Sequence, residues 1–280
     1  MQQPHSRMSR LQRLRKSLTQ FPDIEPPSSW LLASEARAVC EFWAGLAMYM
    51  PVKHWSARGD GHPVLVLPGL GASDVSTVLL RKFLDDLGYV TYAWGLGRNR
   101  GFQDDTHAAL QGRLNTIHHK HEQKVSVIGQ SLGGVYAREL AKVAPHQVRQ
   151  VITLGSPFSG HPLASTGIRF YEWLSGDNIE NMDFDRHHAI RATPPVPTTS
   201  VYSKLDGIVA WKCSIESGTG QTENVHLRGA THCGMACSPA ALYLLADRLA
   251  QQPEHWKPFA PRGAARALYG VADHHTASAT

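Results

Sequence analysis

Short apolar runs alternate with helical patterns along most of the chain. A buried strand is predicted at residues 64–67, where apolar residues are continuous, and further strands are predicted at 89–94, 124–128, 150–154, 198–202 and 223–227. Helical spacing of apolar residues predicts helices at 30–50, 77–87, 103–121, 132–143 and 240–250. Strands that alternate with helices predict an α/β fold, with a mostly parallel central sheet and helices on both faces.

Breaks in this alternation predict the domain organisation. Residues 1–29 are first basic and then rich in Pro and Ser, which indicates an appendage and a linker. Residues 30–252 form the predicted domain, and an insert at about 156–197 interrupts the alternation, as a cap or lid would. Residues 253–280 are predicted to be a peripheral tail.

The charge of the chain is mildly basic, with a formal net charge of +5. No nucleic-acid-binding motif accompanies it, so nucleic acid is not an expected partner. No secretory signal pattern is visible, which favours a cytoplasmic location. Apolar and basic residues recur at helical spacing over residues 7–21, so peripheral contact with an anionic membrane is one hypothesis and a simple appendage is the other. The oligomeric state is left open.

Four cysteines are too few for a disulfide scaffold, and their spacing matches no zinc motif. No metal or organic cofactor is therefore expected. Cys213 and Cys233 flank the candidate acid and base described below, so their loops are expected to meet. Both a disulfide that tethers the two loops and a pair of buried thiols, with Cys237 as a competing partner, remain open.

The chemistry is concentrated in a G-x-S-x-G motif at residues 129–133. A predicted strand enters the motif and a predicted helix leaves it, which is the setting of a nucleophile elbow. Ser131 is therefore the candidate nucleophile. An idle serine in a glycine-rich turn is the alternative.

A serine hydroxyl needs a base to remove its proton and a carboxylate to orient that base. His232 follows the last predicted strand and Asp206 the strand before it, in the order that this elbow requires. Both lie at carboxyl ends of strands, where an open parallel sheet binds ligands. Asp183 and Asp185 in the insert are the alternative acids.

Two backbone N–H groups are candidates for the oxyanion hole. One belongs to Leu132, directly after the nucleophile, and the other to Leu70, in the glycine-rich turn after the first strand. The aromatic residues Phe158, Phe170 and Trp173 in the insert are candidates for the substrate pocket. A glycine-rich loop at residues 95–101 is expected near the rim of this pocket.

Several motifs together resemble bacterial lipases and esterases of the α/β-hydrolase superfamily, over about residues 60–250. These are Leu67-Pro68-Gly69-Leu70-Gly71, the elbow at 129–134, Leu154-Gly155-Ser156-Pro157, Asp206-Gly207 and Thr231-His232. The resemblance implies an α/β-hydrolase fold and a serine hydrolase that cleaves carboxylic esters through an acyl-enzyme. Its substrate would be a small-molecule or lipid ester. An acyltransferase or amidase with the same triad, or a binding protein without catalysis, are the alternatives.

Overall fold

The computed structural model describes residues 24–101, 104–159, 189–218 and 220–273. In these residues six parallel strands form one sheet in the order β2-β1-β3-β4-β5-β6. The strands are β1 (Pro63–Leu67), β2 (Val90–Ala93), β3 (Val125–Gln130), β4 (Val148–Leu154), β5 (Thr198–Tyr202) and β6 (Thr222–His226). The predicted α/β fold class is confirmed, and each strand lies within two residues of its predicted position.

Helices cover both faces of the sheet. They are α1 (Ser29–Ser34), α2 (Ala38–Trp55), α3 (Val78–Leu87), α4 (Asp104–His121), α5 (Leu132–Val143) and α6 (Pro239–Leu249). One buried apolar cluster joins the sheet to α3 and α6, and a second joins it to α4 and α5. The continuous burial of β1 and β5 follows from this cover on both faces.

The strand order reverses at β1, which has β2 on one side and β3 on the other. The connections from the carboxyl ends of β1 and β3 therefore leave towards opposite faces of the sheet. A crevice at such a switch point is where open α/β sheets bind ligands.

The amino-terminal helix predicted at 30–50 is instead two helices. A 3-10 turn at Glu35–Arg37 separates α1 from α2, and α2 continues through Pro51 to Trp55. Apolar residues at helical spacing form a row on α2 that faces outwards: Val39, Phe42, Trp43, Leu46 and Met50, of which Trp43 is 63% exposed and Met50 65%. Within the described residues, no helix is long and apolar enough to cross a membrane.

Both ends of the described chain pack more closely than the sequence predicts. Ile24, in the predicted linker, is buried against Val209 and Cys213. In the tail, Tyr269 is buried and its hydroxyl donates to the Ala240 carbonyl over 2.7 Å. Tyr269 thus fixes the described part of the tail to the domain, while most other described residues of the tail are exposed or half-buried.

Most of the predicted cap, residues 160–188, lies outside the described residues. Its carboxyl-terminal end is anchored by Arg138 of α5, which donates to the carbonyls of Arg191 and Ala192. Arg138 is completely buried and pairs with Glu216 over 2.5 Å. Glu216 also accepts a hydrogen bond from Thr193, so the chain leaves the insert along a fixed path.

Candidate active site

Ser131 lies in the turn between β3 and α5 with a strained backbone. Its φ is +51° and its ψ is −124°, a conformation that residues with a side chain rarely adopt. The turn is tight because Gly133 packs on the carbonyl of Leu67, where a Cβ atom would collide. The strain lifts the serine out of the regular strand and helix geometry, as a nucleophile elbow does.

Asp206 and His232 form a buried hydrogen-bonded pair. His232 Nδ1 and Asp206 Oδ2 are 2.7 Å apart, and both residues are almost fully buried. The other oxygen, Oδ1, accepts from the backbone N–H groups of Ile208 and Val209. These bonds fix the carboxylate, which leaves Nε2 of the imidazole as the atom available to act as a base.

The charge around His232 favours the protonated imidazole. Burial by itself lowers the pKa of His232, but the charge and hydrogen bond of Asp206, together with the charge of Glu35, raise it above the ordinary value of histidine. The imidazole of His232 is therefore suited to accept and hold a proton that it takes from a nucleophile.

Three contacts bring Ser131 and the Asp206–His232 pair to one edge of the sheet. The amide of Gln130 donates to the His232 carbonyl over 3.1 Å, and the Ser131 N–H donates to the Leu154 carbonyl over 2.8 Å. Gly155, at the end of β4, leaves the room that the pair occupies, since a Cβ there would lie 3.2 Å from His232 Nδ1.

The turn that carries Leu70 lies beside the nucleophile. A Cβ on Gly69 would be 3.2 Å from the Cβ of Ser131, so only the backbone can approach this closely. Leu132 is the first residue of α5, and its N–H has no acceptor in a preceding helical turn. Both proposed oxyanion donors are thus adjacent to Ser131 in space or in sequence.

Asn99 holds the Leu70 turn in place and was missed by the sequence analysis. Its side chain donates to the Pro68 carbonyl over 2.9 Å, and its backbone exchanges hydrogen bonds with Gly71 and Ala72. Asn99 is fully buried. In the sequence, Asn99 belongs to the glycine-rich loop at 95–101, which was the one feature that could have drawn attention to it. Its role depends on the contact with Pro68, which lies 31 positions earlier.

A second Ser–His–Asp arrangement lies on the sheet. His62 Nε2 is 2.8 Å from Ser126 Oγ, and His62 Nδ1 is 2.5 Å from Asp60. Ser126 has regular strand geometry in β3, and both it and His62 are buried with no access for a substrate. Hydrogen bonds alone therefore do not distinguish an active site, whereas strain at the serine and an approach from solvent do.

The predicted pocket residues receive no support from the described structure. Phe158 is 1% exposed and packs in the core, with its ring 3.7 Å from the Arg138 guanidinium carbon. It therefore stabilises the buried ion pair instead of lining an open pocket. Phe170 and Trp173 lie outside the described residues, as do Asp183 and Asp185.

Of the two alternatives for Cys213 and Cys233, the disulfide tether is absent. All four cysteines, which belong to the described residues, are free thiols. Burial and then the Asp206 charge raise the pKa of Cys213 to about 12, which agrees with a position near the acid. The bond between Cys213 and Cys233 is thus not formed, and the two loops meet through the Asp206–His232 hydrogen bond instead.

Comparisons with known proteins agree with this architecture. Residues 106–210, less than half of the chain, match the PGAP1-like alpha/beta domain family, and this stretch contains Ser131 and Asp206. No curated protein sequence matches the chain.

Solved structures give matches over about 70% of the chain. Aspergillus fumigatus lipase B is 22% identical with a TM-score of 0.54, covering 69% of this chain and 53% of the lipase. The mature form of Bacillus licheniformis lipase BlEst2 is 16% identical with a TM-score of 0.53, covering 70% of this chain and 93% of the lipase. The chain thus spans about half the length of the fungal lipase. At these identities the matches show the fold, which is the one that the motif resemblance implies.

Proposed function

We propose that this chain, which has the α/β-hydrolase fold, is a serine hydrolase that cleaves carboxylic esters. The observation that carries the proposal is the strained backbone of Ser131, held beside the buried Asp206–His232 pair. Strain of this kind persists only where the surrounding structure enforces it, and it clusters at functional sites.

In the proposed reaction, Ser131 Oγ attacks the acyl carbon while His232 Nε2 takes the hydroxyl proton. The N–H groups of Leu70 and Leu132 hold the oxyanion. Collapse of the tetrahedral intermediate breaks the ester C–O bond, and His232 returns the proton to the leaving alcohol. Water, deprotonated by the same imidazole, then releases the carboxylic acid and restores Ser131.

Asp206 supports both steps by holding the imidazole in one orientation. Its Oδ2 accepts from Nδ1–H, so Nε2 is the unprotonated nitrogen whenever the imidazole is neutral. The raised pKa of His232 predicts that kcat/KM increases with pH, through an apparent pKa above the ordinary histidine value.

Lipid esters are the proposed substrate class. The apolar row on α2 lies on the same helical segment that packs against the acid and base loops, and it exposes Val39, Trp43 and Met50. Large exposed apolar patches mark contact sites, and Trp is favoured where one side of the ring is apolar and the other is wet. The basic segment at 7–21, which lies outside the described residues, adds attraction to an anionic surface.

Labelling with a fluorophosphonate probe tests the chemistry. The wild-type protein should be labelled at Ser131, and Ser131→Ala should lose the label. Ser126→Ala is the matched control, since Ser126 is also hydrogen-bonded to a histidine but is buried in β3. Labelling that persists in Ser131→Ala would overturn the assignment.

Substrate class is tested separately. A hydrolysis series from acetyl to long-chain esters, with products analysed in the presence of an added alcohol or amine, separates hydrolysis from acyl transfer. Co-sedimentation with anionic vesicles should weaken when Trp43 and Met50 are both replaced by Ser, and unchanged sedimentation would remove the lipid-surface proposal.

A further inference from the structure

The helical segment 29–55 packs directly on the two loops that carry the candidate acid and base. Gly207, next to Asp206, lies against the carbonyl of Leu31, where a Cβ atom would collide. Gly234, two residues after His232, lies in the same way against the carboxylate of Glu41. The segment is therefore fitted to these loops without space for any side chain at the two glycines.

Glu35, in the 3-10 turn between α1 and α2, joins the two loops through one carboxylate. Its Oε1 accepts from the backbone N–H groups of Gly207 at 2.8 Å and His232 at 2.9 Å. Its Oε2 accepts from the N–H of Cys233 at 2.9 Å. Glu35 thus links the acid loop and the base loop through their backbones, in addition to the Asp206–His232 hydrogen bond.

Glu41 of α2 extends the same arrangement by one residue. Its Oε1 accepts from the N–H of Thr231 at 2.8 Å. The N–H groups of Thr231, His232 and Cys233 are thus all bound by two carboxylates of one helical segment. Hydrogen bonds to an ionised acceptor are about twice as strong as neutral ones, so the loop is held firmly.

We propose that Glu35 is a positioning residue for His232, acting from a segment that precedes the sheet. The proposal rests on the function proposed above for Ser131, Asp206 and His232. Glu35 touches only the backbone of the base, so it acts through His232 and not on a substrate. A misplacement of a reacting group by about 1 Å can cost about a hundredfold in rate, which is the size of effect that such a support can have.

The carboxylate also acts through its charge. The titratable and charged groups around the histidine loop in the described residues are the carboxylates of Asp206, Glu35 and Glu41, the guanidinium of Arg37 near Glu41, and the thiols of Cys213, Cys233 and Cys237. Burial lowers the pKa of His232, and the charges of Asp206 and Glu35 raise it. A purely structural support would not influence the titration of the imidazole, whereas a charged one does.

The test uses the full chain with Glu35→Gln, Glu35→Asp and Glu223→Gln. Glu223 is the matched control, because its carboxylate also accepts a backbone N–H, from Phe259, but at the opposite end of the sheet. Two quantities are measured across pH: the rate at which a fluorophosphonate labels Ser131, and the pKa of the His232 imidazole by NMR.

Glu35→Gln should label about 10- to 100-fold more slowly, since its amide cannot accept all three N–H bonds. It should also lower the pKa of His232, because a negative charge is lost. Glu35→Asp keeps the negative charge, so the pKa of His232 should stay near its wild-type value. The shorter side chain no longer reaches all three N–H groups, so labelling should slow. Glu223→Gln should match the wild type in both quantities.

A folded Glu35→Gln with wild-type labelling and an unchanged His232 pKa would overturn the proposal. If Glu35→Gln does not fold, Glu35→Asp decides, and a wild-type labelling rate overturns the proposal. If the wild type is not labelled at Ser131, the proposed function fails. The NMR titration then still tests Glu35 independently, and an unchanged pKa in Glu35→Gln rejects its role.

Discussion

The side-chain amide of Gln130 donates a hydrogen bond of 3.1 Å to the backbone carbonyl of His232. The residue before the candidate nucleophile therefore contacts the residue that carries the candidate base. On the other side, the N–H of His232 donates to Glu35. Both backbone polar groups of the histidine are thus occupied by supports, and its ring remains available for chemistry.

Replacement of Asp206 by Asn should reduce kcat by about 10,000-fold, because an amide at this position favours the wrong imidazole tautomer. Steady-state hydrolysis of a soluble ester measures the loss. Asp247→Asn, on α6 and paired with Arg248, is the control and should retain activity. Near-full activity of Asp206→Asn would transfer the role of the acid to Asp183 or Asp185.

Asn99→Ala should lower kcat by about 10- to 1000-fold with a smaller change in KM. The substitution removes the hydrogen bond to the Pro68 carbonyl and so loosens the turn that presents the Leu70 N–H. Asn115→Ala on α4 is a control remote from the site. Equal kcat values for the two variants would show that the Leu70 turn does not need this support.

Gly155→Ala should lower kcat, because the added methyl group would press on the Asp206–His232 pair. Gly155 has a φ of +58°, and the new Cβ would lie 3.0 Å from Asp206 Oδ2 and 3.2 Å from His232 Nδ1. We expect a loss in kcat of about 10- to 100-fold, because the pair must shift. Gly112→Ala, in α4 with open space around it, should be at least as stable and fully active. Comparable kinetics for both variants would contradict the tight fit around Gly155.

His62 should make stability depend on pH. Burial and then the charge of Arg149 lower its pKa, against the opposing effect of Asp60, so the folded protein holds this proton less well than the unfolded chain. The stability that neutral His62 provides is present above about pH 6.5 and decreases as the pH falls below that value.

Urea unfolding at about pH 8 and pH 5.5 measures this effect. The midpoint should fall more between the two pH values for the wild type than for His62→Gln. His119→Gln, an exposed site on α4, is the control and should follow the wild type. His232 contributes with the opposite sign, since its raised pKa gives stability that is lost as the pH rises. Identical pH slopes for His62→Gln and wild type would contradict the prediction.

Much of the fold could be predicted because its signals are local. The strand β1 is a continuous apolar run, and the helix α6 follows Ser238, whose side chain accepts from the N–H of Ala241 as an N-cap does. The elbow at Ser131 was visible for the same reason, since a strand, a glycine-rich turn and a helix follow one another directly.

The supports of the site could not be predicted because they depend on contacts between distant residues. Glu35 has the pattern of a solvated residue on an amphipathic helix, and its partner Cys233 lies 198 positions away. The pattern also could not show which side of α2 faces outwards, because apolar residues such as Trp43 favour burial in general. Cys213 and Cys233 were placed near the acid and base by position, but position does not determine whether a bond forms.

The separation between Glu35 and its partners has a consequence for folding during synthesis. The amino-terminal helices leave the ribosome long before residues 231–233. The carboxylates of Glu35 and Glu41 therefore have no N–H partners in this loop until almost the whole domain has been synthesised. The last supports of the base are therefore contacts of very high sequence separation, which form late because loop closure must precede them. A nascent chain could contain its nucleophile and its acid for some time and still be inactive, and hydrolytic competence would appear only as the final third of the chain folds back onto the first.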